Sequence, residues 1–106
     1  MAAGKHTLQK IVSLKRQKAE QDFQAVQQEL DRVREAAEEI TSTLRALDGQ
    51  TDGADTLILA HRHGHVRKLI SDLDAQRAAI AGKEAELLAA REVLKRAFDS
   101  EERLKD

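Results

Sequence analysis

Apolar residues recur at alternating steps of four and three through the first half of the chain, and this spacing constrains the fold more than any other feature. The uninterrupted part of the series consists of Val26, Leu30, Val33, Ala37, Ile40, Leu44 and Leu47. Extended backwards, the series reaches Phe23, Ala19, Arg16 and Val12. Residues at this spacing share one narrow face of a helix, which is the pattern of a coiled-coil seam.

The second half of the chain carries a seam of the same kind. Its members are Val66, Leu69, Leu73, Gln76, Ile80, Lys83, Leu87, Ala90, Leu94 and Ala97. We interpret the polar members, Gln76 and Lys83 here and Arg16 in the first seam, as residues that fix the pairing register, because long basic side chains can reach the edge of a thin coiled coil. A single helix cannot hide such a stripe from water, so each seam needs a partner helix.

One strong turn signal separates the two seams, the segment DGQTDGAD from Asp48 to Asp55. Gly49 suits the position after a helix, and Asp52 or Asp55 suits a helix N-cap. The chain has no proline and is rich in good helix formers. These features predict an all-α fold, a long antiparallel two-helix coiled-coil hairpin that forms a single domain over residues 1–106.

The predicted hairpin has helix 1 over about residues 7–48, a turn over about 49–54 and helix 2 over about 55–104. A turn centred near Asp52 implies that facing residues have numbers adding up to roughly 106, because both helices rise equally per residue. Val12 would then face Leu94, and Ala19 would face Leu87. Because a lone two-helix hairpin buries little area, a partner or self-association is expected, and a dimer of longer helices or a bundle of two hairpins remains an alternative.

The segment HRHGHVRKLI, from His61 to Ile70, raises the question of a metal site. His61 and His65 are four residues apart, a spacing that can place two imidazoles on one zinc ion, and His63 lies between them. The seam turns Val66 inward and leaves these histidines on the flanks of helix 2, so we interpret the segment as helix and predict neither a metal nor a cofactor. Gly64 costs about 1 kcal/mol inside a helix, which favours a kink or a late start of helix 2 there.

The N-terminal segment is basic and unusually apolar. Residues 1–19 contain five cations and no acid, and Leu8, Ile11 and Leu14 widen the apolar stripe beyond what one partner helix can cover. In a hairpin this segment lies beside the end of helix 2, which adds four cations, Lys95, Arg96, Arg103 and Lys105, along with four acids, Asp99, Glu101, Glu102 and Asp106. The predicted partner-binding residues are Lys5, Leu8, Lys10, Ile11, Leu14, Lys15, Arg16, Lys18, Lys95 and Arg96.

Several function classes fit the sequence poorly. The net charge of −1 and the lack of aromatic residues in the basic segment argue against nucleic-acid binding. MAAGKHTLQK lacks the apolar core of a signal peptide, and no apolar run approaches the roughly 18 residues of a membrane span, so we expect a cytoplasmic protein without membrane insertion. Without cysteine, a phosphate-binding glycine loop or a catalytic triad, an enzyme is not expected.

Two segments resemble the FliJ/YscO family of type III export proteins. LQKIVSLKRQKAEQDFQAVQQEL, Leu8 to Leu30, is similar to that family's opening helix, and AREVLKRAFDSEERL, Ala90 to Leu104, is similar to its closing helix. The resemblance implies an antiparallel coiled coil that acts as a stalk in flagellar or virulence-type export. Its terminal end would enter the hexameric export ATPase, its surface would contact the export gate and export chaperones, and it would lie in the cytoplasm, peripheral to the inner membrane. A generic coiled-coil adaptor or homodimerisation module is the alternative.

Overall fold

A computed structural model shows two long helices, α1 (Ala2–Asp48) and α2 (Thr56–Arg103). It describes the backbone of residues 2–48 and 56–105, and the side chains of residues 4–48 and 60–105. The predicted all-α hairpin of two long helices is confirmed. The predicted turn, with Gly49, Asp52 and Asp55, lies outside the described residues.

Residues with weak helix propensity are accommodated without interrupting either helix. The hydroxyls of Thr41 and Thr43 each donate a hydrogen bond to the carbonyl four residues earlier, at 2.9 Å, which satisfies them inside α1. Helix α2 already runs from Thr56 through Gly64, so the predicted late start at this glycine is wrong. One glycine inside a helix costs about 1 kcal/mol. Good helix formers lie on both sides of Gly64, and they favour continuing the helix through it, because extending a helix is easier than starting a new one.

The contacts between residues separate into two units, and both helices contribute to each. Unit 1 contains the residues up to Glu29 and those from Lys83 onward. Its pairing is antiparallel, because Gln9 near the start of α1 bonds to Leu104 after the end of α2, while Glu29 bonds to Lys83.

Unit 2 extends from Leu30 to Gly82 and is also antiparallel. Leu47 and His63 line the same groove as Thr41 and Ile70, so later residues of α1 lie beside earlier residues of α2.

The pairing register of unit 1 differs from the predicted one. Residue numbers of Gln9 and Leu104 add up to 113, and those of Glu29 and Lys83 add up to 112, against the predicted value of roughly 106. The difference is close to seven residues, one heptad. Because a seam repeats every seven residues, a slip of one heptad again sets seam against seam, so the apolar pattern alone cannot choose between the two registers.

The best-buried residues are thinly distributed along the two seams. Leu30 is 1% exposed, Ala19 is 5% exposed and Leu73 is 8% exposed, and all three are members of the predicted seams. Most other described seam positions are half-buried, as expected when each helix has one partner and its stripe can be covered from one direction only. The stability of the hairpin therefore rests on a few closely packed positions.

Candidate functional site

The start of α1 and the end of α2 come together in unit 1. Nε2 of Gln9 donates a hydrogen bond to the backbone carbonyl of Leu104, one of the groups that a helix C-terminus leaves without an intrahelical partner. The amide of Leu104 in turn donates to the carbonyl of Glu101 at 3.1 Å, which tightens the last turn. These hydrogen bonds hold the last turn of α2 against α1 and so fix the positions of the side chains around it.

Arg16 holds the same end together from a seam position. Its Nε donates to Glu101 of α2 at 3.0 Å, and one terminal nitrogen donates to Glu20 of its own helix at 3.1 Å. The guanidinium carbon lies 5.8 Å from the centre of the Phe98 ring, within cation–π range. The hydrogen bond to Glu101 is the main cause that raises the pKa of Arg16. Its guanidinium is thus engaged within unit 1, and its predicted role in partner binding stays a prediction.

Lys83 makes a second polar link at a seam position. Its Nζ donates to Glu29 of α1 at 2.6 Å and to Glu86 at 3.0 Å. The hydrogen bond to Glu29 is the largest cause that raises the pKa of Lys83, and the bond to Glu86 adds to it. In the predicted register Lys83 faced Phe23, beside Asp22, which lies one heptad before Glu29. Lys83 therefore has a carboxylate near it in either register, and its predicted role in fixing the register stays a prediction.

We expect the stability contribution of Lys83 to disappear at high pH. A raised pKa means that folding favours the charged ammonium, so the contribution is complete below the ordinary lysine value of 10.5 and is lost as the pH rises through the raised pKa. Urea unfolding of the wild-type protein and Lys83→Met should therefore give a difference in unfolding free energy that is constant from pH 7 to about 9 and declines above about 10. A difference that stays constant up to pH 12 would show that the ammonium makes no such contact.

One side of unit 1 forms a groove between the helices, which we call the basic groove. Its volume is about 400 Å³, and its lining residues are Val12, Lys15, Lys18, Ala19, Asp22, Val93, Arg96, Ala97 and Ser100. Three of the predicted partner-binding residues meet here, Lys15 and Lys18 from α1 and Arg96 from α2. Its apolar lining residues are small or branched, and Ala19 among them is buried, whereas Lys15, Lys18 and Arg96 are exposed.

The remaining predicted residues belong to unit 1 and do not line this groove. Leu8 and Leu14 are 54% and 55% exposed, and Ile11 is also exposed. Lys5, Lys10 and Lys95 are exposed as well. Their role in binding another protein stays a prediction.

Sequence reasoning missed several residues of this end. Val93 is a large exposed apolar residue that lies outside the seam spacing, and the heptad pattern gave no reason to single it out. Glu101 and Leu104 carried a usable signal, because the alternating steps of four and three continue from Ala97 to both of them. That extension places an acid on the seam of α2 at the end where Arg16 interrupts the seam of α1.

The three histidines of HRHGHVRKLI lie in unit 2. His61, His63 and His65 are exposed, and His63 lines a groove of about 550 Å³ together with Leu44, Leu47 and Val66. Among the residues that the structure describes, no group of three or more histidine, cysteine, aspartate or glutamate side chains is arranged to hold a metal ion. Within the same residues, neither helix has a stretch long and apolar enough to cross a membrane.

Comparison with known proteins yields no similar protein. No protein-family model, curated protein or solved structure matches this sequence.

Proposed function

We propose that this protein is a non-enzymatic coiled-coil stalk of a type III protein export apparatus. On this proposal its paired end contacts the hexameric export ATPase, and its surface contacts the export gate and export chaperones. It works in the cytoplasm, peripheral to the inner membrane. The proposal rests on the resemblance of Leu8–Leu30 and Ala90–Leu104 to the FliJ/YscO family and on one structural observation.

That observation is the chemistry of the paired end. The two segments that carry the resemblance contact each other in unit 1, through Gln9 with Leu104 and Arg16 with Glu101. Around these contacts, large apolar side chains are exposed next to lysines and arginines. An apolar surface rimmed by charged side chains is typical of a protein-binding site, and it supports a role in docking to a partner.

The basic charge at this end also suggests how the stalk finds its partner. The cations of α1 that precede Glu20 have no acidic residue among them in the sequence. Such a cluster attracts an acidic surface over a distance of about one Debye length and increases the association rate at low salt. An acidic lumen in the partner ring is therefore part of the proposal.

Affinity capture from a lysate of the source cells tests this function. We expect the tagged wild-type protein to recover an export ATPase, gate component or export chaperone at low salt. The variant Lys10→Glu/Lys15→Glu/Lys18→Glu should recover roughly tenfold less, because it turns attraction into repulsion, and higher salt should reduce the wild-type yield.

A charge-matched control separates this effect from a change in net charge. Arg67→Glu/Lys68→Glu/Arg77→Glu alters three exposed cations of unit 2 by the same total charge and should leave the recovery unchanged. Recovery of export components by both variants at the wild-type level would contradict the proposed docking end. Recovery of the protein itself and nothing else would contradict the export function.

A homodimerisation module is the second candidate, favoured by a different set of exposed residues. Leu88 and Val93 of unit 1 are 64% and 53% exposed, a large exposure for apolar side chains five residues apart on one helix. A second copy could cover them. This candidate predicts a stable dimer in sedimentation equilibrium that Leu88→Asp dissociates.

A further inference from the structure

The side chains that line the basic groove suit contact with a third helix. Its floor includes Ala19 and Ala97, whose small side chains allow another helix backbone to approach closely, and its apolar walls include Val12 and Val93. Ala19 is buried, so the floor is fixed by the packing of α1 on α2.

The apolar surface continues from the groove toward the start of α1. Ile11 precedes Lys15 by four residues and Lys18 by seven, so these three side chains lie on one face of the helix, and Leu8 lies one heptad before Lys15. Both Leu8 and Ile11 are exposed. From Leu8 to Asp22 the helix rises about 21 Å, which corresponds to about four turns of a partner helix.

The charges along the groove are mainly positive. Lys15, Lys18 and Arg96 line it together with one acid, Asp22. Asp22 accepts a hydrogen bond from Lys18 at 3.3 Å, and both side chains are exposed. An exposed pair of this kind contributes little, so Lys18 can exchange Asp22 for a carboxylate of a bound partner at small cost.

We propose that the basic groove binds an amphipathic helix of a partner protein whose apolar stripe is flanked by aspartates and glutamates. The apolar residues of that helix would lie over Ala19 and Ala97, and its acids would meet Lys15, Lys18 and Arg96. This inference deepens the proposed function and rests on it for the nature of the partner, since it names the chemistry that an export component must present at this end.

A second copy of this chain is a poorer occupant of the groove. If two copies placed this groove face to face across a two-fold axis, three cations of each would oppose those of the other, with one Asp22 on each side to offset them. Like charges brought together in this way disfavour the pairing. An acid-rich helix meets the same surface with the opposite sign.

Binding of a designed peptide tests the groove directly. The probe is a fluorescein-labelled amphipathic peptide of about 16 residues, with leucines at steps of three and four and glutamates on both flanks. A matched peptide carries lysines in place of the glutamates. Fluorescence anisotropy should show binding of the acidic peptide and at least about tenfold weaker binding of the basic one.

Two pairs of variants locate the binding. Lys15→Glu/Lys18→Glu/Arg96→Glu should weaken binding of the acidic peptide by about tenfold or more, while Arg67→Glu/Lys68→Glu/Arg77→Glu, with the same charge change in unit 2, should change it by less than about threefold. Val93→Asp, in the groove wall, should weaken binding, whereas Leu88→Asp, which is also exposed but does not line the groove, should not. Circular dichroism confirms that each variant retains its helices.

The outcomes separate this inference from the proposed function. Equal binding of both peptides, no measurable binding, or equal effects of the two charge variants would overturn it. A wild-type dimer that the groove variant dissociates would also overturn it in favour of a second copy. If the peptide fails while export components are still captured, the groove inference falls and the export function stands. If the peptide binds as expected while no export component is captured, the groove stands and the export function falls.

Discussion

Leu30→Ala is expected to lower the free energy of unfolding by about 2 to 5 kcal/mol, the range for removing a buried leucine and leaving a cavity. Leu30 is 1% exposed and is the most deeply buried of the described residues. Few other positions of this two-helix fold are closely packed. A large part of the unfolding free energy, which for folded domains is about 5 to 15 kcal/mol, therefore depends on Leu30. Urea unfolding followed by circular dichroism at 222 nm measures the effect.

Leu88→Ala is the matched control for this substitution. It deletes the same atoms from a side chain that is 64% exposed, so we expect a change within about 0.5 kcal/mol. A loss at Leu30 that is as small as the loss at Leu88 would mean that Leu30 does not pack against the partner helix in solution. A large loss at Leu88 would instead reveal a dimer that covers it, because destabilisation would then include the lost interface.

Ala19→Cys/Leu94→Cys is expected to form an intramolecular disulfide in nearly all molecules under mild oxidation. Ala19 lines the basic groove together with Val93 and Ala97, and Leu94 occupies the seam position between them. Two cysteines can be bridged when their α-carbons lie within about 7 Å. The chain has no native cysteine, so the only disulfide is the engineered one. Non-reducing gel electrophoresis at low protein concentration measures the fraction that is cross-linked.

The control variant is Ala19→Cys/Leu87→Cys, the pair that the register predicted from the turn position would bring together. Leu87 lies one heptad from Leu94, about 10.5 Å along the helix, so the two registers cannot both place their cysteines within bridging distance. Each variant also loses one seam leucine, which keeps the packing cost comparable. Efficient cross-linking in the Leu87→Cys variant, and none in the Leu94→Cys variant, would show that the hairpin has the predicted register.

The sequence predicted the cations of the candidate site. Lys15, Lys18 and Arg96 were singled out by charge, and the structure brings them together along the basic groove. Val93 was not singled out, because heptad spacing identifies the residues that lie between two helices and carries no information about apolar residues on their outer edges. Arg16 was grouped with the other cations by its charge and was also interpreted as a seam residue that fixes the register, and the structure engages it with Glu101 and Phe98 within unit 1. Which cations are used internally depends on the acids that face them.

By itself, the sequence determined the fold class. Apolar residues at steps of three and four, with no proline among them, predict long helices that each have one apolar stripe to bury, and the single strong turn signal divides the chain into two such helices. The burial of Ala19, Leu30 and Leu73 on the predicted seams follows from the same pattern. Only the tertiary structure decided the register. A heptad seam is unchanged by a slip of seven residues, so hydrophobic burial is nearly the same in either register. The choice therefore depends on contacts that do not repeat, such as Arg16 with Glu101, because the residue one heptad before Glu101 is Leu94.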